Sequence, residues 1–427
     1  MQKQHDLDEW FVRIAKKADI AESSAIQGCT VFKSYGLELW NQITSFLDDR
    51  LHKQGYTNAY FPLFVPTEEM KKHKEHYEGF SKELVSLEGK DLHLRPTSEM
   101  IIYPTIRNWI QTDNDLPLKI NQFCSVVRWE SVKPNLPLIR DNEFLWQESH
   151  TLHTTAAAAE QEATIMLALY RELIEDYLAI PVFEGNKPPH RLFPGAEYTL
   201  ALESIMPNGK SLQMATSHFL AQKFSRPLEL TYTAAGQTKF PWQSCHGLTT
   251  RVIGALIMVH GDDHGLVIPP KIAPIQVACN NLPQSTLDSL RQSGIRIATD
   301  VKDPILKGIP LMMKQDGSGF SITRRDTLEI IHTTTPNIPG LLDDVQRSLK
   351  RKAQAFKDTL ETPARYEDMQ SAPKGSFFRA PWCGEIPCAK AIRTEAGVSL
   401  RVISSGTGNC IRCTKPASHQ AIFAQAY

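Results

Sequence analysis

The sequence predicts an α+β body over residues 1–272, a small α/β domain over 273–360 and a cysteine-bearing α/β segment over 361–427. Three observations predict this. Runs rich in β-branched and aromatic residues crowd 118–249 around one long Ala-rich helix, the mix expected of an antiparallel sheet with flanking helices. IPPKIAP, at 268–274, is a proline-punctuated break beyond which strands and helices alternate. Four cysteines then gather between 383 and 413.

The elements follow in chain order. MQKQHDLDEWFVRIAKKADI reads as an amphipathic helix, and 35–54 carries Leu39, Trp40, Ile43, Phe46, Leu47 and Leu51 at helical spacing. GYTNAYFPLFVP reads as a turn and a short strand carrying Pro62. LKINQFCSVVRWE (118–130) and 142–150 read as strands joined by the proline-bearing loop SVKPNLPLIRD. TTAAAAEQEATIMLALYRELIEDYLA (154–179) is a long helix. GAEYTLALESIM and KSLQMATSHFL are strands about the turn PNGK. CHGLTTRVIGALIMVHGDDHG (245–265) reads as a turn into a buried helix. In 273–360, IAPIQVAC, TLDSLRQS, IRIATD, IPLMMK, FSITRR and a helix at 340–360 alternate. TLETPARYEDMQSAPKGS (359–376) reads as a linker.

Composition excludes some classes of function. Lys+Arg and Asp+Glu balance at 47 each in 427 residues, so a polyanionic partner must meet local basic patches. No run of 18 apolar residues points to a membrane span, and the N-terminus lacks the apolar core of a secretory signal. A reducing cytoplasm is therefore expected. Cys29, Cys124, Cys245 and Cys279 read as buried free thiols. Cys383, Cys388, Cys410 and Cys413 form C-x4-C and C-x2-C about twenty residues apart. That is a four-thiolate zinc pattern; the competing reading is two pairs of free cysteines.

FLWQESHTLH (144–153), read as a strand, puts Phe144, Trp146, Glu148 and His150 on one face. That is no aliphatic core face. Arg128 and Glu130 end the preceding strand, and Arg140 lies across the loop. Two arginines at the ends of a hairpin suit a polyphosphate, whose oxygens match guanidinium forks; a solvated Arg–Glu pair is the alternative. In LRPTSEM, Thr97 and Glu99 could clamp an ammonium group, or Thr97 or Ser98 could simply start a helix. Gln213, Thr216 and His218 lie on a polar strand, and Arg251 opens an apolar helix where it could face a phosphate or a base.

Together and in order, YFPLFVP, RPTSE, SVVRWE, EFLWQESHT, FPGAEYTLALES, LQMATSH, GLTTR, VHGDDHGLVIPP and CGEIPC…CIRCTKPA resemble prolyl-tRNA synthetase of the archaeal/eukaryotic type, a class II aminoacyl-tRNA synthetase. The resemblance implies an antiparallel catalytic sheet and a homodimer with Pro62 in its interface motif. It implies formation of prolyl-adenylate from proline and ATP, then transfer to the terminal adenosine of tRNA(Pro). Phe144 would stack on adenine, with Arg251 on the other side. Thr97 and Glu99 would hold the imino group, and Phe80, Trp146, Glu148, His150 and His218 would surround the proline. Arg128 would bind the α-phosphate and Arg140 the outer phosphates or adenine. Glu130, Gln213, Thr216 and Thr249 would complete the nucleotide contacts. Mg2+ would accompany ATP, with Glu203 as its ligand.

The chain departs from the family pattern in places. Asn142 stands where the second motif usually has an arginine. His246 and Gly247 stand before the third motif, beside the expected site. No large insertion separates 154–179 from Arg251, so a cis editing domain is absent. The 273–360 region lacks a Trp/Lys/Phe-rich stretch, which shortens the anticodon-binding domain, although Arg324, Arg325 and Asp326 are retained. RSLKRK (347–352) suits RNA backbone or a solvated helix face. A paralogue passing an aminoacyl-adenylate to a carrier protein or small acceptor is the alternative function.

Overall fold

A computed structural model describes residue 3, residues 5–129 and residues 136–427. Glu130, one of the expected nucleotide contacts, lies outside the described residues.

The body is built on a ten-stranded sheet. Its order runs Phe378–Trp382, Pro416–Ala426, Ser399–Asn409, Phe183–Asn186, Tyr198–Ile205, Lys210–Ala221, Trp242–Thr249, Glu143–His153, Leu118–Val127 and Thr57–Asn58. Successive neighbours are antiparallel except at the last pair, where Thr57 and Asn58 run parallel to Ile120 and Asn121. The Leu118–Val127 and Glu143–His153 strands form the predicted hairpin.

Side-chain alternation gives the sheet two different faces. Gln147 and Ser217 turn toward the helix Ala156–Arg171, where Tyr170 donates to Gln147 at 2.6 Å and Ser217 donates to the Ala163 carbonyl at 2.6 Å. That helix runs on into a wider turn at Glu172–Tyr177, together spanning most of the predicted 154–179 helix. Helices Leu7–Lys17, Ser34–Lys53 and Arg251–His260 join it around the principal core. The opposite face carries Phe144, Trp146, Glu148 and His150.

Several local expectations are corrected. Cys245, His246 and Gly247 belong to the strand Trp242–Thr249, not to a turn: Gly247 pairs with both Glu148 and Thr216, so its backbone is held on two sides. The chain turns only at Thr250. The polar strand Lys210–Ala221 lies in the interior of the sheet. Pro62 lies between the short strands Thr57–Asn58 and Phe64–Pro66, not inside either. The expected linker contains the short helix Tyr366–Ser371.

Residues 277–357 form the predicted α/β unit. Strands Ile297–Thr299, Val277–Asn280 and Leu311–Asp316 are parallel, and Gly319–Arg324 and Ile330–Thr333 follow antiparallel. Helices Gln284–Gln292 and Ile338–Lys357 bury Leu287, Leu290, Leu342, Val345 and Leu349 against them. The cysteine-bearing segment differs from its expected separateness: its strands extend the main sheet, through Ile403 beside Asn186 and Lys210 beside Gln425. Among the described residues, no helix is long and apolar enough to cross a membrane.

Candidate active site

Two contiguous cavities open on the polar sheet face. The outer one, of about 440 Å³, is lined by Arg128, Arg140, Phe144, Gln213, Thr249 and Arg251, with Arg191, Arg393, Arg401 and Tyr427 on its far wall. The inner one, of about 240 Å³, is lined by Thr97, Glu99, Trp146, Glu148, His150, Thr216 and His218. Arg128, Phe144, Arg191, Gln213, Thr249 and Arg251 border both.

Arg128 stands at the junction. Its Nε donates to the Pro96 carbonyl at 2.7 Å. Its guanidinium lies 5.1, 5.5 and 5.6 Å from the ring centroids of Phe80, Phe144 and Trp146. Three aromatic neighbours hold the cation, while its contact with both cavities leaves it placed to meet an anion. Burial lowers its pKa despite Glu83, Glu99 and Glu148 nearby, and a guanidinium stays charged throughout the working range. Arg251, at the start of the helix Arg251–His260, donates to the Ile139 carbonyl at 3.2 Å. Burial first, then Arg128, brings its pKa down to about 10. Arg140 is fixed by the Tyr427 carbonyl at 3.0 Å.

The inner cavity is a buried carboxylate–imidazole cluster. Thr97 donates to Glu99, and Ser98, at the start of the helix Glu99–Ile106, donates to Glu148. The helix does begin here, as the alternative reading of LRPTSEM has it, but no side chain caps it. Gln122 donates to Glu148 at 2.5 Å, and His150 bridges Glu148 and the Tyr103 hydroxyl, each at 3.2 Å. Burial would raise the Glu99 pKa, but His150, His76 and the Thr97 hydroxyl hold it below the usual carboxylate value. Burial pushes His218 down to about 3, so it is a neutral imidazole, with Thr199 at 2.9 Å. The result is a preformed anionic pocket with aromatic walls, matched to a small cation with an apolar body.

His76, which the sequence reading missed, lies behind the inner cavity beside Glu99. Its Nε2 is buried without a hydrogen-bond partner, 3.9 Å from Glu99. Its ring packs edge-on against Phe80 at 5.1 Å and Phe193 at 5.6 Å. The available signal was its place one helical turn before Phe80 in KEHYEGF. Arg191, Arg393, Arg401 and Tyr427 were also missed, because nothing in their local sequence marks them as cavity residues.

Glu203 does not fit a magnesium ligand. Lys187 and Ser211 (2.5 Å) bind its carboxylate, and Arg401 bonds both oxygens at 3.1–3.3 Å. Burial alone would raise its pKa, but Lys187 and Arg401 bring it to about 2. It is a buried counter-ion behind the cavity's far wall. His246 borders the inner cavity, but Ser217 at 2.7 Å and Ser244 at 3.3 Å hold its ring nitrogens on the helix-facing side of the sheet. Asn142 lines the outer cavity and braces it. Its carbonyl accepts from the Arg128 amide at 2.7 Å, and its side chain donates to the Gln27 carbonyl at 3.2 Å. These contacts tie the hairpin to the segment around Gly28, whose positive φ of 78° suits glycine.

The four C-terminal thiols converge. The Sγ atoms of Cys383, Cys388, Cys410 and Cys413 all lie within 4.8 Å of one another, and Cys413 and Cys383 are 3.8 Å apart. This donor set fits a tetrahedral zinc. In the α/β unit, Arg324 pairs with Asp326 at 3.0 Å, and Arg325 is buried. In the 347–352 cluster, Arg347 pairs with Asp344, Lys350 pairs with Asp176 at 2.6 Å, and Lys352 donates to the Asp326 carbonyl at 3.0 Å, as a solvated helix face would.

Comparison with known proteins agrees with this geometry. Residues 83–260 match the tRNA synthetase class II core domain (G, H, P, S and T), and residues 366–427 match the prolyl-tRNA synthetase C-terminal domain. A proline–tRNA ligase of Amoebophilus asiaticus is 37% identical, over 99% of this chain and 98% of the relative. One from Cenarchaeum symbiosum is 36% identical, over 100% and 98%. The crystal structure of prolyl-tRNA synthetase from Cryptosporidium parvum, complexed with halofuginone and AMPPNP, superposes with a TM-score of 0.91 at 31% identity, covering 100% of this chain and 99% of that one. Nothing in these similarities favours the carrier-dependent paralogue. The chain belongs to the prolyl-tRNA synthetases, class II ligases that activate proline with ATP and charge tRNA with it.

Proposed function

We propose that the outer cavity takes ATP and the inner one proline, with Arg128 at their junction binding the α-phosphate. The observation that carries this reading is the position of Arg128, between a cavity lined by arginines and a pocket built on Glu99 and Glu148. Phe144 and Arg251 sandwich the adenine, and Arg140 takes the outer phosphates or the adenine edge. Gln213, Thr216 and Thr249 complete the nucleotide contacts. Thr97 and Glu99 receive the imino group of proline. Phe80, Trp146, Glu148, His150 and His218 enclose its ring and fix the pocket, and His76 joins them.

In this arrangement the proline carboxylate attacks the α-phosphorus in line. The bond to the bridging oxygen breaks and pyrophosphate leaves. No protein nucleophile is required; the side chains hold two anions together and stabilise charge on the phosphates. Arg128 and Arg251 contribute most, because their guanidiniums are fixed before substrate arrives. The terminal hydroxyl of tRNA then attacks the prolyl carbonyl and AMP departs. Mg2+ accompanies ATP, and the chain's own ligand to it is not Glu203.

Zinc at the four cysteines is structural, closing the segment that carries Arg393 and Arg401. A homodimer through the surface around Pro62 is supported by the exposed Tyr60, Phe64 and Trp109, an apolar group beside the sheet edge at Thr57–Asn58. Eight free cysteines suit the reducing environment of a cytoplasmic enzyme, with domains at 1–272, 273–360 and 361–427. The test is proline-dependent ATP–pyrophosphate exchange followed by charging of total tRNA. Both activities are expected; no exchange with any amino acid would overturn the reading of the two cavities.

A further inference from the structure

Arg191 and Arg393 come from distant parts of the chain and both line the outer cavity, and Arg191 also borders the inner one. Arg191 ends the short 3-10 helix Pro189–Arg191, and Arg393 lies in the last turn of Ile386–Glu395. Neither makes a side-chain hydrogen bond or ion pair among the described residues. Carboxylates that might neutralise them are committed elsewhere. Glu203 is held by Lys187 and Arg401, and Glu395 is held by both forks of Arg412 at 3.0 Å.

Outside these two arginines, His190 and Lys390 stand exposed. Burial, followed by the charges of Arg191, Lys390 and Arg393, lowers the His190 pKa. The four groups are therefore electrostatic neighbours. Lys390 and Arg393 lie on one helix three residues apart, hence on one face. The charges run from solvent at Lys390, past Arg393 and Arg191, to the cavity. Phosphates of a bound ATP already have Arg128, Arg140 and Arg251. A line of unneutralised cations leading inward matches the repeating charge of a nucleic-acid strand better than one compact triphosphate.

We propose that Lys390, Arg393 and Arg191 form a track for the phosphodiester backbone of the tRNA acceptor end, guiding the terminal adenosine to the adenylate. This rests on the reading of the protein as a tRNA-charging enzyme. It gives the cysteine-bearing segment a direct part in the second step, as a positioning surface.

The test uses the full chain carrying Lys390→Glu, an exposed position that lines neither cavity. Proline-dependent ATP–pyrophosphate exchange is expected to stay within about twofold of the unaltered enzyme. The KM for tRNA is expected to rise about tenfold or more, with kcat little changed. The dependence of that KM on salt should flatten, by about 0.7 in the logarithmic slope per lost single-strand phosphate contact. Lys390→Arg, which keeps the charge, should leave the KM for tRNA near that of the unaltered enzyme. An unchanged KM for tRNA would overturn the proposal, leaving the cations a solvated face. A parallel loss of exchange with a raised KM for ATP would also overturn it, assigning the cations to the triphosphate. Failure of the unaltered enzyme to charge any tRNA would instead defeat the underlying functional reading.

Discussion

Arg325 grips both carboxylate oxygens of Asp262, at 2.8 and 2.6 Å, joining the α/β unit to the catalytic body. Arg325 is fully buried, and its Nε donates to the Ile305 carbonyl at 2.8 Å. Asp262 also accepts from the amides of His264 and Gly265. It lies just beyond the helix Arg251–His260, whose first residue lines the nucleotide cavity. The clamp therefore fixes one end of the helix that carries Arg251 at the other.

Asp262→Asn should lower stability by about 1–3 kcal/mol, the range for a buried polar group that loses its charged partner. Urea unfolding measures this. Burial raises the Asp262 pKa, but Arg325 outweighs it and holds the group below the ordinary aspartate value. Its stabilisation is thus present above the unfolded pKa and is lost as pH falls through the folded one. The stability difference between the native chain and Asp262→Asn should shrink in acid; a difference that grows there would contradict the clamp.

Arg128→Lys should reduce exchange about 100-fold or more, although the charge is kept. An ammonium cannot donate to Pro96 while presenting a planar fork to phosphate between three rings. Exchange kinetics with proline and ATP varied separately would place the loss in kcat. Activity near that of the native chain would mean that Arg128 acts only as a point charge.

His150 should titrate above an ordinary histidine. Burial lowers its pKa, but Glu148 and Glu99 together raise it. Its favourable interaction is fully present below the unfolded pKa and is lost as pH rises through the folded value. Nuclear magnetic resonance of the ring carbon protons would follow the titration. In Glu148→Gln the midpoint should drop; an unmoved midpoint would show that the pair is not electrostatically coupled.

Metal analysis should find about one zinc per chain, since four converging thiolates close a tetrahedral site. Chelation should lower the thermal midpoint and reduce exchange as well. The strands on either side of the cysteines belong to the main sheet, and Arg401 neutralises Glu203 in the cavity wall. Less than about half an equivalent of metal would refute the four-thiolate site.

Phe64→Asp should convert a dimer to monomers, as read by light scattering. Phe64 is 46% and Tyr60 is 74% exposed, so both present apolar area to solvent in the single chain. A charge there would face burial without a partner in the dimer. A native chain that is monomeric at all concentrations would exclude this surface as an interface.

The sequence made legible what repeats at short range. Alternation along 144–150 disclosed a polar sheet face, because strand geometry converts a period of two directly into one surface. The Ala-rich helix and the α/β alternation after 274 were legible for the same reason. Partnership across the chain was not. Glu203 looked free because Arg401, which occupies it, lies 198 residues away. His246 stood beside the expected site, and only strand register showed that its ring meets Ser217. Arg325 belonged to a short basic motif whose purpose was hidden until Asp262 came alongside. Each of these side chains has an unremarkable local setting, and only tertiary contact assigns it.

The insertion of late strands into an early sheet bears on how the protein is made. Glu203 leaves the ribosome long before Arg401 does, so its buried cluster must wait half-assembled. Until residues 399–426 arrive, Phe183–Asn186 and the first two residues of Lys210–Ala221 lack the strands that cover them. Bare strand edges invite pairing with other chains, and contacts across such long separations form slowly. A fragment stopping near residue 360 would then be no smaller enzyme but an aggregation-prone intermediate. Maturation of the catalytic wall is thereby tied to synthesis of residues 399–426.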